Sequence, residues 1–84
     1  MPKQELKGTR RPDGTPVNQL QLGEYALCDP ENWLGVCPSG DVANLLRHKV
    51  TVHDDGSISV EPSIHVTGKG DWHGHLTNGV WTED

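Results

Sequence analysis

The sequence predicts an all-β fold: a small antiparallel meander, sandwich or incomplete barrel of five to six short strands behind a flexible N-terminal tail. Three observations predict it. From His48 to Ile64 apolar residues alternate with polar ones, Val50 and Val52 before a break and Ile58 and Val60 after it. A period of two gathers these side chains on one face of extended chain. Asp55-Gly56 and Asn78-Gly79 supply the positive φ angles that tight antiparallel turns require. Glycine and proline, ten and six in number, punctuate the remainder at short intervals.

Eighty-four residues set the scale at one small domain. Its large apolar residues are eight Val, eight Leu, two Ile, three Trp and one Tyr, with no Phe. Such a core carries roughly 3–5 kcal/mol of net stability, and a metal, a disulfide or a partner subunit often supplements it. Charge is uneven. Residues 1–16 carry Lys3, Lys7, Arg10 and Arg11 against Glu5 and Asp13, a net +2; the remainder carries −7, which makes the total −5. An acidic body argues against nucleic acid as a partner, since phosphate backbones want clustered Lys and Arg. No apolar run approaches the length of a membrane span and no signal-peptide pattern opens the chain, so a membrane partner is not expected.

Residues 1–16 read as the tail, with Leu6 its sole large apolar side chain after Met1; it buries too little to offset its own ordering. A single domain over 17–84 follows. Val17–Leu22 reads as a first strand and Tyr25–Cys28 as a second or an extension of the first. Asp29-Pro30 reads as a helix start, a capping side chain before proline at the first helical position, opening one turn that sets Trp33 and Leu34 at one end of the core. Ser39 could cap a helix with Val42, Leu45 and Leu46 on one face; alternatively Leu46, His48, Val50 and Val52 share one face of a single longer strand, which the β-branched residues downstream favour. Pro62 ends the strand that begins at Ile58. Ile64 and Val66 open another, and Thr67–Asp71 is a glycine-bearing loop. Trp72–Leu76 alternates again, and Gly74 within it suggests a bulge or a close backbone approach beneath a tryptophan. Val80 and Trp81 open the last strand.

The series HDDGSISVEPSI followed by WHGHLTNGVW resembles a group of small proteins encoded by phages of actinobacteria. The similarity spans roughly residues 33–82. That group is similar in turn to a broader bacterial domain family of unknown function, carrying Pro-Ser-Ile and Trp-His-Gly motifs, whose Cys and His residues suggest bound zinc. In the present chain Cys37 alone occupies a comparable place, and Trp72-His73 stands without an accompanying cysteine. The resemblance implies a phage origin, with the host cytoplasm or the virion as location.

Several constellations bear on function. Cys28 and Cys37 are read as free thiols in a chain without a secretion signal, with metal ligation and a disulfide as the alternatives. His73 and His75, two apart on a strand, share a face, and His65 neighbours them across the 67–71 loop. Three imidazoles, completed by Cys28 or Cys37, form a candidate zinc set, although no strong finger or ribbon spacing is present; the plainer alternative leaves His73 and His75 on a solvated face, and no cofactor is required. No nucleophile, base and orienter stand in a recognisable motif, so no catalytic residue is assigned and an enzyme is not expected. Trp33, Trp72 and Trp81 are candidate contact residues, tryptophan being enriched at binding hot spots, and equally natural fillers of a core lacking Phe. The expected function is a non-enzymatic protein-binding module, self-associating or docking on a larger assembly as a virion-associated accessory protein. The alternative is a zinc-stabilised, host-directed regulatory or anti-defence factor.

Overall fold

A computed structural model describes residues 5–30, 32–46, 48–68 and 70–84. Among them nine strands form two sheets that do not close into a barrel. The strands are β1 Glu5–Lys7, β2 Thr9–Arg10, β3 Glu24–Asp29, β4 Asn32–Val36, β5 Val42–Asn44, β6 Lys49–Val52, β7 Ile58–Val66, β8 Trp72–Thr77 and β9 Val80–Glu83. One sheet runs β1-β9-β8-β7-β6 and the other β2-β3-β4-β5; all neighbours are antiparallel except β2 and β3. No helix among the described residues is long and apolar enough to cross a membrane.

The core lies between the sheets. Tyr25, Cys37, Ala43 and Leu45 from the smaller sheet side meet Ile58, Val60, Ile64, Val66, Trp72, Leu76 and Trp81 from the larger, all buried. Strict alternation along β8 produces this: Trp72, Gly74 and Leu76 point in, while His73, His75 and Thr77 face solvent. Both predicted hairpins form. Val50 pairs with Val60 and Val52 with Ile58 across the Asp54–Gly56 turn, and Leu76 pairs with Trp81 across Asn78-Gly79. Asn78 and Gly79 take φ of 50° and 78°, as the tight turn demands. Gly74 makes the expected close approach: a Cβ there would run into the Thr82 carbonyl oxygen and the Trp72 ring.

The outer face of the smaller sheet carries a second cluster of Leu20, Ala26 and Val36, joined by Val17 and Cys28. The Trp81 indole N–H donates to Gly23 O at 2.9 Å, tying the larger sheet to the chain entering β3.

Several expectations are corrected. Residues 5–16 are not a detached tail; residues 1–4 lie outside the described residues. Leu6 pairs with Trp81 and Arg10 with Tyr25, and Gly8 N donates to Gly79 O at 2.7 Å, Arg11 N to Tyr25 O at 2.9 Å and Gly14 N to Leu27 O at 2.8 Å. Long-range backbone bonds thus offset the ordering that side-chain burial alone does not, and no boundary falls near residue 16. Val17–Gln19 is a short 3-10 turn rather than a strand, packing Val17 and Leu20 onto the second cluster. Asp29-Pro30 opens no helix: the Asn32 amide donates to both Asp29 carboxylate oxygens at 2.9 Å, joining the two ends of a turn between β3 and β4, and Trp33 and Leu34 lie within β4. The strand expected from Leu46 through Val52 holds only for Lys49–Val52, which is β6; upstream, Val42–Asn44 forms β5 in the other sheet rather than one face of a helix. Pro62 does not stop β7, which carries three residues between Val60 and Ile64 against one between Leu76 and Gly74. The surplus is even, so Ile64 and Val66 return to the inner face.

Candidate functional site

The three imidazoles that the sequence places together do share the outer face of the larger sheet. His65 sits opposite His73, their rings edge to face at 5.6 Å. Asp84 joins them. Its carboxylate oxygens lie 3.2 Å from His73 Nδ1 and 3.0 Å from His75 Nδ1. A carboxylate only accepts, so each Nδ1 carries a proton. His73 Nε2 is then left, in the neutral ring, to accept the Ser63 hydroxyl 3.0 Å away. Asp84 was not anticipated, yet the Asn78-Gly79 turn contains the signal. Counting out from Leu76 opposite Trp81 brings position 84 beside His73, and Asp84 N donates to His73 O at 2.9 Å.

The Asp84–His73–Ser63 relay has the parts of an activated nucleophile. It stands on an open face, His73 and His75 being 52 % and 46 % exposed. β8 is flanked by β7 and β9, so its amides turn to neighbouring strands. The relay is a solvated polar ladder worth little to stability.

The thiols lie elsewhere. Cys37 is buried between the sheets and Cys28 belongs to the outer cluster, so they occupy opposite faces of the smaller sheet; both are free. Burial, followed by the neighbouring Asp29 charge, pushes the Cys28 thiol up. The candidate metal set Cys28, Cys37, His65, His73 and His75 therefore does not converge, and among the described residues no three His, Cys, Asp or Glu side chains are arranged to hold an ion. Trp72 and Trp81, 3 % and 0 % exposed, stack edge to face at 5.7 Å in the core, which corrects their candidacy as contact residues. Trp33 is half-buried, with the Arg10 guanidinium 5.0 Å from its ring centre.

An open groove of about 680 Å³ runs along residues 7–13 beside Tyr25 and the Asp55–Ser57 turn. Of its three cations, Lys7, Arg10 and Arg11, Arg10 donates to Gly56 O at 3.1 Å and Asp13 Oδ1 at 3.0 Å, and Arg11 lies 4.0 Å from Glu24 Oε1. Hydrogen bonds from the Ser57 hydroxyl and then its amide hold the Asp55 carboxyl below the usual carboxylate range. Burial pushes the Tyr25 phenol up.

The opposite side of the molecule is different. β1 and β2, joined at Gly8, close one flank of both sheets; β5 and β6 form the other flank. Val42, Leu46 and Val52, on or between those two strands, are 50 %, 56 % and 50 % exposed. Ile58 O accepts from Gly79 N and so faces β8, whereas His53 N donates to Ser57 O. Antiparallel alternation then turns the backbone groups of Lys49, Thr51 and His53 toward β7, and those of Val50 and Val52 outward. β6 thus presents two amides and two carbonyls to a newcomer, beside valines whose apolar face is incompletely covered.

Compared with family models, curated proteins and solved structures, the chain gives no significant match.

Proposed function

We propose that the chain is a non-enzymatic protein-binding module that recruits an extended segment onto its open β5–β6 flank. One observation carries this: β6 points unpaired backbone groups outward next to a half-exposed Val52. Backbone bonding gives a strand-adding partner its affinity, and alternate side-chain positions give selectivity. Following the resemblance above, the module is phage-encoded and works in the host cytoplasm or as a virion-associated accessory protein, with protein and neither nucleic acid nor membrane as its partner. Selection from a displayed library of random extended peptides tests it. Enriched peptides are expected to lose binding to Val52→Lys and keep binding to Asp84→Ala on the far face; binding indifferent to Val52→Lys overturns the proposal.

A second reading, a zinc-stabilised host-directed regulatory or anti-defence factor, draws on the three imidazoles sharing one face. With the thiols elsewhere and no three of these side chains arranged to hold an ion, it requires His65, His73, His75 and Asp84 to rearrange around the metal. A zinc-dependent rise in melting temperature, absent in His73→Ala, supports it; an identical melt in zinc and in chelator removes it.

A further inference from the structure

We infer that two copies of this chain pair through β6, antiparallel about a twofold axis at Thr51, to make one continuous ten-stranded sheet. The inference rests on the open-flank reading and names its occupant. Closed twofold association needs a surface complementary to itself. β6 satisfies that requirement in one register. With Thr51 facing Thr51 of the second copy, Val50 of each copy lies opposite Val52 of the other. Those are the residues whose amides and carbonyls turn outward, so both cross-strand pairs are fully hydrogen-bonded. Thr51, whose backbone is spent on Ser59, falls at the non-bonded position on the axis.

Side chains agree with the backbone. Val50 and Val52 share the face of Val60 and Ile58, so pairing extends the apolar inner layer across the junction and covers the exposed half of Val52. Charge selects the direction. Lys49 stands at one end of the strand and Asp54 and Asp55 at the other. In this register each Lys49 lies opposite His53 of the second copy and next to its Asp54 and Asp55, twice per dimer, whereas parallel pairing would set Lys49 against Lys49. The remaining edges are shorter. β2 has two residues and soon meets Pro12, β1 and β5 have three each, and β6 offers four without proline or bulge. So short a contact belongs to the transient class below about 1,200 Å², and the proposal takes its dissociation constant as roughly tens of micromolar.

Sedimentation equilibrium of the full chain tests this. Across about 5–500 µM, a range spanning that estimate, the mass is expected to rise from the 9.2 kDa of one chain toward twice that value. Val52→Lys is expected to weaken association at least tenfold with an unchanged circular-dichroism spectrum. Val52→Pro, which removes an outward amide and no internal bond, is expected to do the same, and Val42→Lys on β5 to leave it intact. A wild type that stays monomeric throughout, or a Val52→Lys variant that associates like wild type, overturns the pairing. If the wild type is monomeric while selected peptides still depend on Val52, the self-pairing falls and the open-flank proposal stands; if neither depends on Val52, both fall.

Discussion

Alanine at position 74 sets a methyl group into space already held by the Thr82 carbonyl oxygen and by the Trp72 ring, whose Cη2 and Cζ2 atoms lie 2.7 and 2.8 Å from the new carbon. Neither neighbour yields freely. The Thr82 carbonyl is backbone of β9, which pairs with β8 on both sides of this point. The Trp72 ring is buried against Trp81. Overpacking of this kind costs about 1–3 kcal/mol, and a ladder hydrogen bond lost in relief adds about 1 kcal/mol. A loss of about 2–4 kcal/mol is comparable to the roughly 3–5 kcal/mol expected of so small a core. The melting temperature falls by about 4–8 °C for each kcal/mol. Urea titration followed by tryptophan fluorescence reads the change directly, because Trp72 and Trp81 are both buried. Gly70→Ala is the companion: exposed, with nothing within 4 Å of the added carbon, it is expected to stay within about 0.5 kcal/mol of wild type. A Gly74→Ala chain equally close to wild type would refute the packing described for β8 and β9.

Trp81→Phe removes the indole donor to Gly23 O, leaving that buried carbonyl only the long Thr9 N–H at 3.4 Å; a loss of about 1–2 kcal/mol in urea is expected, and none at all would mean that the sheets are held together otherwise. The Asp55 carboxyl is depressed in the folded chain by Ser57, so its stabilisation is present above the unfolded value near ~3.9 and lost as pH falls through the lower folded value. The melting-temperature gap between wild type and Asp55→Asn is therefore expected to be widest at neutral pH and to close on acidification; a gap that widens in acid contradicts the assignment. Cys28, raised by burial and Asp29, is expected to react with iodoacetamide at pH 7.5 more slowly than free cysteine, the thiolate being the nucleophile; Cys28→Ser identifies its share of the labelling.

Periodicity and turn chemistry exposed the two hairpins because both are local: Val50 to Val60 and Leu76 to Trp81 are joined by short turns whose residues state their own φ. The edge strands were hidden because they are distant pairings. β1 and β2 contain one large apolar residue, Leu6, and are held by bonds to Gly79 and Tyr25 that no window of neighbouring residues reveals. Asp29-Pro30 misled because a helix cap and a turn use the same side chain, and the Asp29–Asn32 bond decided between them. Pro62 misled because a strand tolerates proline where surplus residues interrupt the ladder. At the polar cluster the shared face of His65, His73 and His75 was legible from spacing, while Asp84 required a register counted through the hairpin. The outward amides of β6 were beyond spacing altogether, since hydrogen-bond parity depends on which pair the turn closes.

The strap from Glu5 to Arg10 has a temporal side. β1 pairs with β9, the first described strand with the last, so the larger sheet stays one strand short until the final hairpin has been made. During synthesis from the amino end, that strap waits without its docking strand while the hairpins behind it form and collapse in turn. Closing so long a loop is entropically demanding, and chains built on such distant contacts fold slowly. The β1–β9 pairing is thus expected to form among the last contacts, so refolding of a chain with Leu6→Ala is expected to slow along with its loss of stability.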